Sequence, residues 1–236
     1  KFPTEVIDLP SEGKVYPKES PLSSGKLELK YMTTREEDIL MSENLIKKGI
    51  VIDKLLDSLI VTKGVKQGDL ILGDKNAVLV ASRILAYGPE YTVELENPNN
   101  SDEKVEHTFD LSQCPFKGLS KDVDYSDNSF DFTTPVGKNK LKFKLLTGVD
   151  EVSIEKDIKQ SSKFGVSSDI TTRLRYIVTE VDGDTKSSTI NEFTQNLLAR
   201  DSVALRNYIR DIAPDIDLTS EVEIGGETVS VSIPLT

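Results

Sequence analysis

The sequence predicts an α+β fold: an N-terminal helical body with β-hairpins, followed by a smaller mixed α/β region that ends in a hairpin. Three observations carry the prediction. Asp69–Gly88 holds one sharply bounded helix pattern. Tyr91–Leu111 and Val222–Ile233 alternate apolar and polar residues with the period that strands require, and Pro and Gly punctuate the chain between these blocks. The resulting division is an extended N-terminal arm with a strand over residues 1–32, an α+β domain with a hairpin excursion over 33–146, and a C-terminal helical region with a terminal β-hairpin over 147–236.

The arm contains Pro3, Pro10, Pro17 and Pro21 with Gly13 and Gly25, a spacing that forbids a long helix. It closes on KLELKYM, Lys26 to Met32, an alternating run that predicts a strand. The stretch reads equally as a loop that begins the domain or as an arm that reaches for a neighbour. Thr33 and Glu36 have the spacing of a capping box, so a helix is predicted to follow, with Ile39, Leu40, Leu45 and Ile46 turned inward. The triplet Glu36-Glu37-Asp38 suits the positive end of a helix dipole better than a metal or acid–base site. Gly49 interrupts the pattern, and Ile52, Leu55, Leu56 and Leu59 renew it.

The chain is organised around DLILGDKNAVLVASRILAYG, residues 69–88. Asp74 is the expected N-cap, since a carboxylate there accepts the orphan amide protons of a first turn. Val78, Ala81, Ile84 and Leu85, widened by Leu79 and Val80, form the expected buried stripe of an amphipathic helix. Gly88 and Pro89 supply the stop.

Beyond it, Tyr91, Val93 and Leu95 alternate against Val105, His107, Phe109 and Leu111, a hairpin pattern with a long turn over Asn97–Asp102. Phe130-Asp-Phe132 and Lys138–Leu146 predict two more strands around Pro135-Val-Gly137. A polar helix is expected over Asp150–Gln160 and a loop over 165–169. Ile170–Val181 supports helix and strand equally. Thr189–Leu198 reads as a short helix, Asp201 as the cap of another through Leu205, Tyr208 and Ile209, and the last hairpin turns at Gly225-Gly226.

Composition excludes several functions. With 29 Lys and Arg against 40 Asp and Glu, the net charge of -11 argues against a direct nucleic-acid binder, which needs a cationic surplus to neutralise phosphates. A lone Cys114 excludes an intrachain disulfide framework and fits a reducing compartment. No apolar run approaches the ~20 residues that span a bilayer, and no signal-peptide pattern opens the chain, so no membrane anchor is expected. The absence of an initiator Met, and a stop within a strand pattern, suggest trimmed ends.

The chemistry that such a chain could carry reduces to near-misses. Gly68 and Gly73 have the spacing of a phosphate loop, but Asp74 stands where its lysine belongs, and the interior DLIL is apolar. Asp122, Asp124 and Asp127 fall in a calcium-loop-sized window that has Thr133 where a bidentate glutamate is required. His107 shares a strand face with Val105 and Phe109, and one His with one Cys cannot assemble a zinc set. Asn99-Asn-Ser101 matches a glycosylation sequon by chance. No catalytic, cofactor-binding or metal-binding residue is assigned, no cofactor is expected, and the chain does not read as an enzyme.

Several stretches together carry a resemblance. YMTTREEDILMS before a helix pair, GDLILGDKNAVLVASRILAYGPEY, HTFDLSQ, and NEFTQNLLARDSVALRNYIRDIAPDIDL with a closing EVEIGGETVSVSIPL occur in that order over roughly residues 5–235. In this the chain resembles the baseplate hub protein family of T4-type, contractile-tailed bacteriophages. Some members of that family carry a cysteine-containing, zinc-ribbon-like excursion before the HTFDLS-like strand. Here Asn97-Pro-Asn-Asn-Ser101 stands in its place with no cysteine, leaving a tip held by turn chemistry alone.

The resemblance implies a virion structural protein of the tail baseplate, assembled in the host bacterial cytoplasm. Its partners would be other phage tail and baseplate proteins, in an oligomeric assembly of multiple copies. Residues 1–25 and the hairpin at 221–235 are the segments expected to dock neighbours by sheet-edge addition, on the premise that they bury little of themselves. Two alternatives remain open at this stage: a hub assembly chaperone not retained in the virion, and a ligand-binding protein.

Overall fold

The computed structural model describes residues 1–165 and 167–235. Strand β1 (Thr4–Asp8) pairs antiparallel with β2 (Lys26–Lys30) in the register Val6↔Glu28. Helices α1 (Thr34–Leu40), α2 (Glu43–Lys48) and α3 (Val51–Leu59) lead to α4 (Leu72–Tyr87). The hairpin β3 (Glu90–Asn97) and β4 (Asn100–Asp110) follows, then short β5 (Phe116–Lys117), β6 (Phe130–Thr133) and β7 (Lys140–Phe143). The remainder is α5 (Gly148–Ser162), α6 (Asp169–Ile177), β8 (Val178–Val181), α7 (Ser187–Asn196), α8 (Ala199–Ile212), β9 (Asp215–Ile216) and the hairpin β10 (Thr219–Ile224) and β11 (Glu227–Ser232). All strand pairs are antiparallel, in small sheets of two or three strands, as the α+β expectation requires.

Three hydrophobic clusters abut on α4. Its start, Ile71 and Leu72, joins the largest, which contains Phe130, Phe143, Ile154, Leu174 and Leu205. Val78, Leu79, Ala81 and Leu85 join a second with Leu9, Leu22, Leu27, Leu29 and Leu56. Val80 and Ile84 join a third with Phe109, Leu111, Val222, Ile224 and Ile233. The helix is therefore not amphipathic in the ordinary sense: it turns a different face to each core and leaves little of itself to water.

Its start also departs from expectation. Ile71 is the N-cap, with extended backbone, and Asp74 is the third residue of the first turn, fully buried. Its carboxylate accepts the Ser11 amide (3.0 Å), the Ser11 hydroxyl (2.6 Å) and the Tyr16 hydroxyl (2.6 Å). The Tyr16 oxygen in turn accepts the Ile71 amide at 3.0 Å, which supplies the cap that Asp74 does not. Asp201 repeats the correction. Leu198 is the N-cap of α8, and Asp201 is a buried third residue that accepts the amides of Val136 (2.8 Å) and Gly137 (2.9 Å) from the β6–β7 turn.

The N-terminal segment is not an extended arm. Leu9, Val15, Leu22, Leu27 and Leu29 are buried in the first two cores. The segment folds back on itself where Gly13 and Gly25, both at positive φ, bring their backbones together. A Cβ on Gly13 would lie 2.4 Å from the Ser23 carbonyl oxygen, and one on Gly25 would lie 2.7 Å from the Glu12 backbone. The terminal hairpin likewise buries Val222 and Ile224 against α4 and β4. The premise that both segments bury little is overturned, and the cores cross the boundaries drawn at 32 and 146.

Other differences are local. The β3–β4 ladder runs to Asn97↔Asn100, so its loop is shorter than the expected 97–102, and Leu111 begins a 3-10 turn after the strand. Ile170–Val181 resolves into the end of α6 followed by β8. In α2 no residue is buried and Ile46 is 52% exposed, against the inward placement predicted. The loop expected over 165–169 includes Val166, which lies outside the described residues.

Removing the Asp74 carboxylate strands three buried donors, each worth ~1 kcal/mol or more. Asp74→Ala is expected to lower unfolding free energy by about 3 kcal/mol, and Tyr16→Phe by about 2 kcal/mol through the orphaned Ile71 amide. Because both act through one network, the double variant should lose less than the sum in urea titrations followed by circular dichroism.

Candidate functional site

The phosphate-loop near-miss has a packing explanation. Gly73 lies so close to the β9 segment that a Cβ would sit 1.7 Å from the Pro214 carbonyl oxygen, and a Cβ on Gly68 would meet the Val149 side chain at 2.9 Å. Leu70 and Ile71 are buried, and the Asp74 carboxylate occupies the first turn of α4, where an anion would have to sit. The glycine spacing serves close approach of backbones.

The other sequence candidates are likewise tied into local structure. Asp124 accepts the Ser126 amide (2.9 Å) and hydroxyl (2.6 Å), an exposed turn in which Asp127 takes a left-handed φ of 59°. His107 pairs with Val93 across the hairpin and meets the Phe109 ring edge-on at 4.6 Å. Cys114 packs on the third core; burial, then Asp217 and Asp110, push its thiol above the usual range, away from thiolate chemistry. Among the described residues no cluster of three His, Cys, Asp or Glu is placed to hold a metal ion.

The buried acids are bonded to internal donors. Glu36 is fully buried at the third position of α1. It accepts the Thr33 amide (2.9 Å) and hydroxyl (2.6 Å) and the Ser58 hydroxyl (2.7 Å), and it pairs with Lys30 at 2.5 Å. Burial works to raise its pKa, but the bonds from Lys30, Thr33 and Ser58 outweigh it and hold the carboxyl down to about 2. Asp74 has the opposite balance. Burial pushes it above the carboxylate range and the Ser11 and Tyr16 bonds only partly offset that, while burial and the Asp74 charge push the Tyr16 phenol far upward. Such groups are engaged by internal donors and fix geometry.

Two surface features remain after these structural roles. The first is the outer edge of β1, which among the described residues pairs only with β2. The bonds Leu9 N to Gly25 O and Tyr31 N to Pro3 O fix the alternation of the ladder, so the amides and carbonyls of Thr4, Val6 and Asp8 point outward. Val6 is 59% exposed and Phe2 62%. The inner strand β2, by contrast, is covered on its far side by Ile60–Thr62.

The second is an apolar groove of about 440 Å³ walled by α1, α3 and α4, with Leu40, Val51, Leu55 and Leu79 among its lining. Arg83 projects into its lining from α4, its guanidinium 4.8 Å from the Tyr87 ring centroid and 5.0 Å from that of Tyr91. Sequence reasoning passed over Arg83. The available signal was a cation one helical turn before a tyrosine, within the largely apolar second half of the helix.

The fold and these features describe a scaffold protein that fixes its acids internally and presents an open strand edge and a groove outward. The chain belongs to the T4 bacteriophage base plate protein family, whose sequence model matches residues 3–232. It is thus a baseplate protein of the phage tail. Comparison with curated proteins and with solved structures gives no match. No described helix is long and apolar enough to cross a membrane.

The low pKa of Glu36 predicts a pH dependence with a definite sign. A carboxyl depressed by folding contributes stability that is complete above its unfolded pKa of about 4.3 and is lost as pH falls through about 2. Glu36→Gln is expected to be less stable than the parent at neutral pH, with the gap in urea midpoint closing between about pH 4.3 and pH 2. A gap that stays constant across that window would contradict the charge-based role.

Proposed function

We propose that the chain is a non-enzymatic structural component of the baseplate hub in a contractile tail, working in multiple copies through protein–protein contacts after assembly in the host cytoplasm. Family membership over nearly the whole chain supports the structural role, and the hub position rests on the ordered motifs that resemble hub proteins. The engagement of Glu36, Asp74 and Asp201 by internal donors is in keeping with a scaffold.

The mode of assembly rests on one observation: the outward-facing backbone of β1 beside exposed Phe2 and Val6. An extended segment of a neighbour can add there as a further strand, main-chain hydrogen bonds giving affinity and alternate side chains giving specificity. Residues 9–25 are needed for the core, so the docking element narrows from the whole arm to β1 itself.

Mass spectrometry of purified tails should detect the chain in a fixed ratio to the hub proteins; detection only in assembly intermediates would contradict the reading and assign a chaperone role. Val6→Pro removes one outward amide at an edge position that tolerates proline. It should lower incorporation into tails by about tenfold, equivalent to ~1.4 kcal/mol, while leaving the thermal midpoint of the isolated chain within a few degrees. Unchanged incorporation would exclude β1 as the docking edge.

A further inference from the structure

We propose that the groove between α1, α3 and α4 receives an amphipathic helical segment of a neighbouring tail protein, whose aliphatic side chains fill the cleft and whose acidic side chain pairs with Arg83. The proposal rests on the reading of the chain as a structural tail subunit and names the partner chemistry of a second surface. The groove lies within the ~300–1,000 Å³ range of binding clefts and its lining is dominated by aliphatic and aromatic side chains.

Arg83 supplies the charge argument. Among the described residues it has no carboxylate within ion-pair distance, in a chain that carries eleven more acidic than basic groups. Its Nε is buried with no hydrogen-bond partner, a state that costs free energy until an acceptor arrives. Glu37 on α1 accepts instead from the Tyr87 hydroxyl at 3.1 Å. The Tyr87 and Tyr91 rings hold the guanidinium within 5.0 Å of both centroids, and its N–H donors suit a carboxylate taken bidentately.

The occupant is a polypeptide because apolar side chains outside the groove lining also stay exposed on the neighbouring segments. Met41, next to Leu40 in the chain, is 78% exposed and Ile46 on α2 is 52% exposed. A small acyl ligand would fill the cleft and leave these uncovered. Walls made of three helices suit the helix-in-groove mode, read by anchors at i, i+3 and i+4.

The test uses overlapping 20-residue synthetic peptides spanning the other proteins of the purified tail, titrated against the full chain by fluorescence anisotropy. Binding is expected from a peptide with aliphatic anchors at helical spacing and an acid among them. Changing that acid to its amide should weaken binding by at least about tenfold. Arg83→Gln should weaken it equally, with no further loss when the two changes are combined, and Arg83→Lys should be intermediate because it keeps the charge without the fork. Val51→Asp, in the groove wall, should abolish binding while circular dichroism shows the fold retained. No bound peptide, binding indifferent to Arg83, an acyl chain carried by the purified protein in native mass spectra, or self-association dependent on Arg83 would each overturn the groove assignment. A chain present in finished tails with any of those results leaves the subunit reading standing; a chain absent from tails overturns both.

Discussion

The buried Asp74 carboxylate at the start of α4 is the constraint on which the rest of the structure depends. It holds Ser11 and Tyr16, and Tyr16 packs against two of the three cores while capping the Ile71 amide. One acid thus sets the N-terminal segment, the helix start and the junction of two hydrophobic clusters in a single geometry. Desolvation opposes the arrangement, which is why its carboxyl is pushed upward despite three donors. The three donors are close and well placed, which offsets part of that cost.

The same device recurs. Glu36 in α1, Asp150 in α5 and Asp201 in α8 all occupy the third helical position and reach outside their own helix, to Ser58 and Lys30, to Lys144, and to the β6–β7 turn respectively. A carboxylate there is favoured by the helix dipole and is also long enough to catch amides from a distant segment. A protein of small two- and three-stranded sheets has few long ladders to fix its tertiary arrangement, and these acids pin helices to loops instead. The two surfaces proposed for docking, the β1 edge and the Arg83 groove, lie outside these knots.

How much of this was legible depends on range. The hairpins were readable because a period of two and Gly225-Gly226 are local signals, and the structure turns there with both glycines at positive φ. The capping box at Thr33 and Glu36 was readable for the same reason. Asp74 and Asp201 read as caps in the sequence because an acid just before an apolar run has that local appearance. Their true donors lie 63 and 65 residues away, beyond any window of periodicity. The N-terminal segment reads equally as loop or arm because prolines and glycines announce turns without saying that Leu9 and Leu22 between them are core. Arg83 was hidden because its meaning comes from Tyr91, across the helix–strand corner, and from the walls of α1 and α3.

Hydrogen exchange read by mass spectrometry on Asp74→Ala against the parent chain tests the central role of the buried acid most directly. If Asp74 ties the cores together, protection should fall by a similar free energy in β1–β2, in β6–β8 and in the first turns of α4. Loss of protection confined to residues 11–16, with the sheets unchanged, would contradict it.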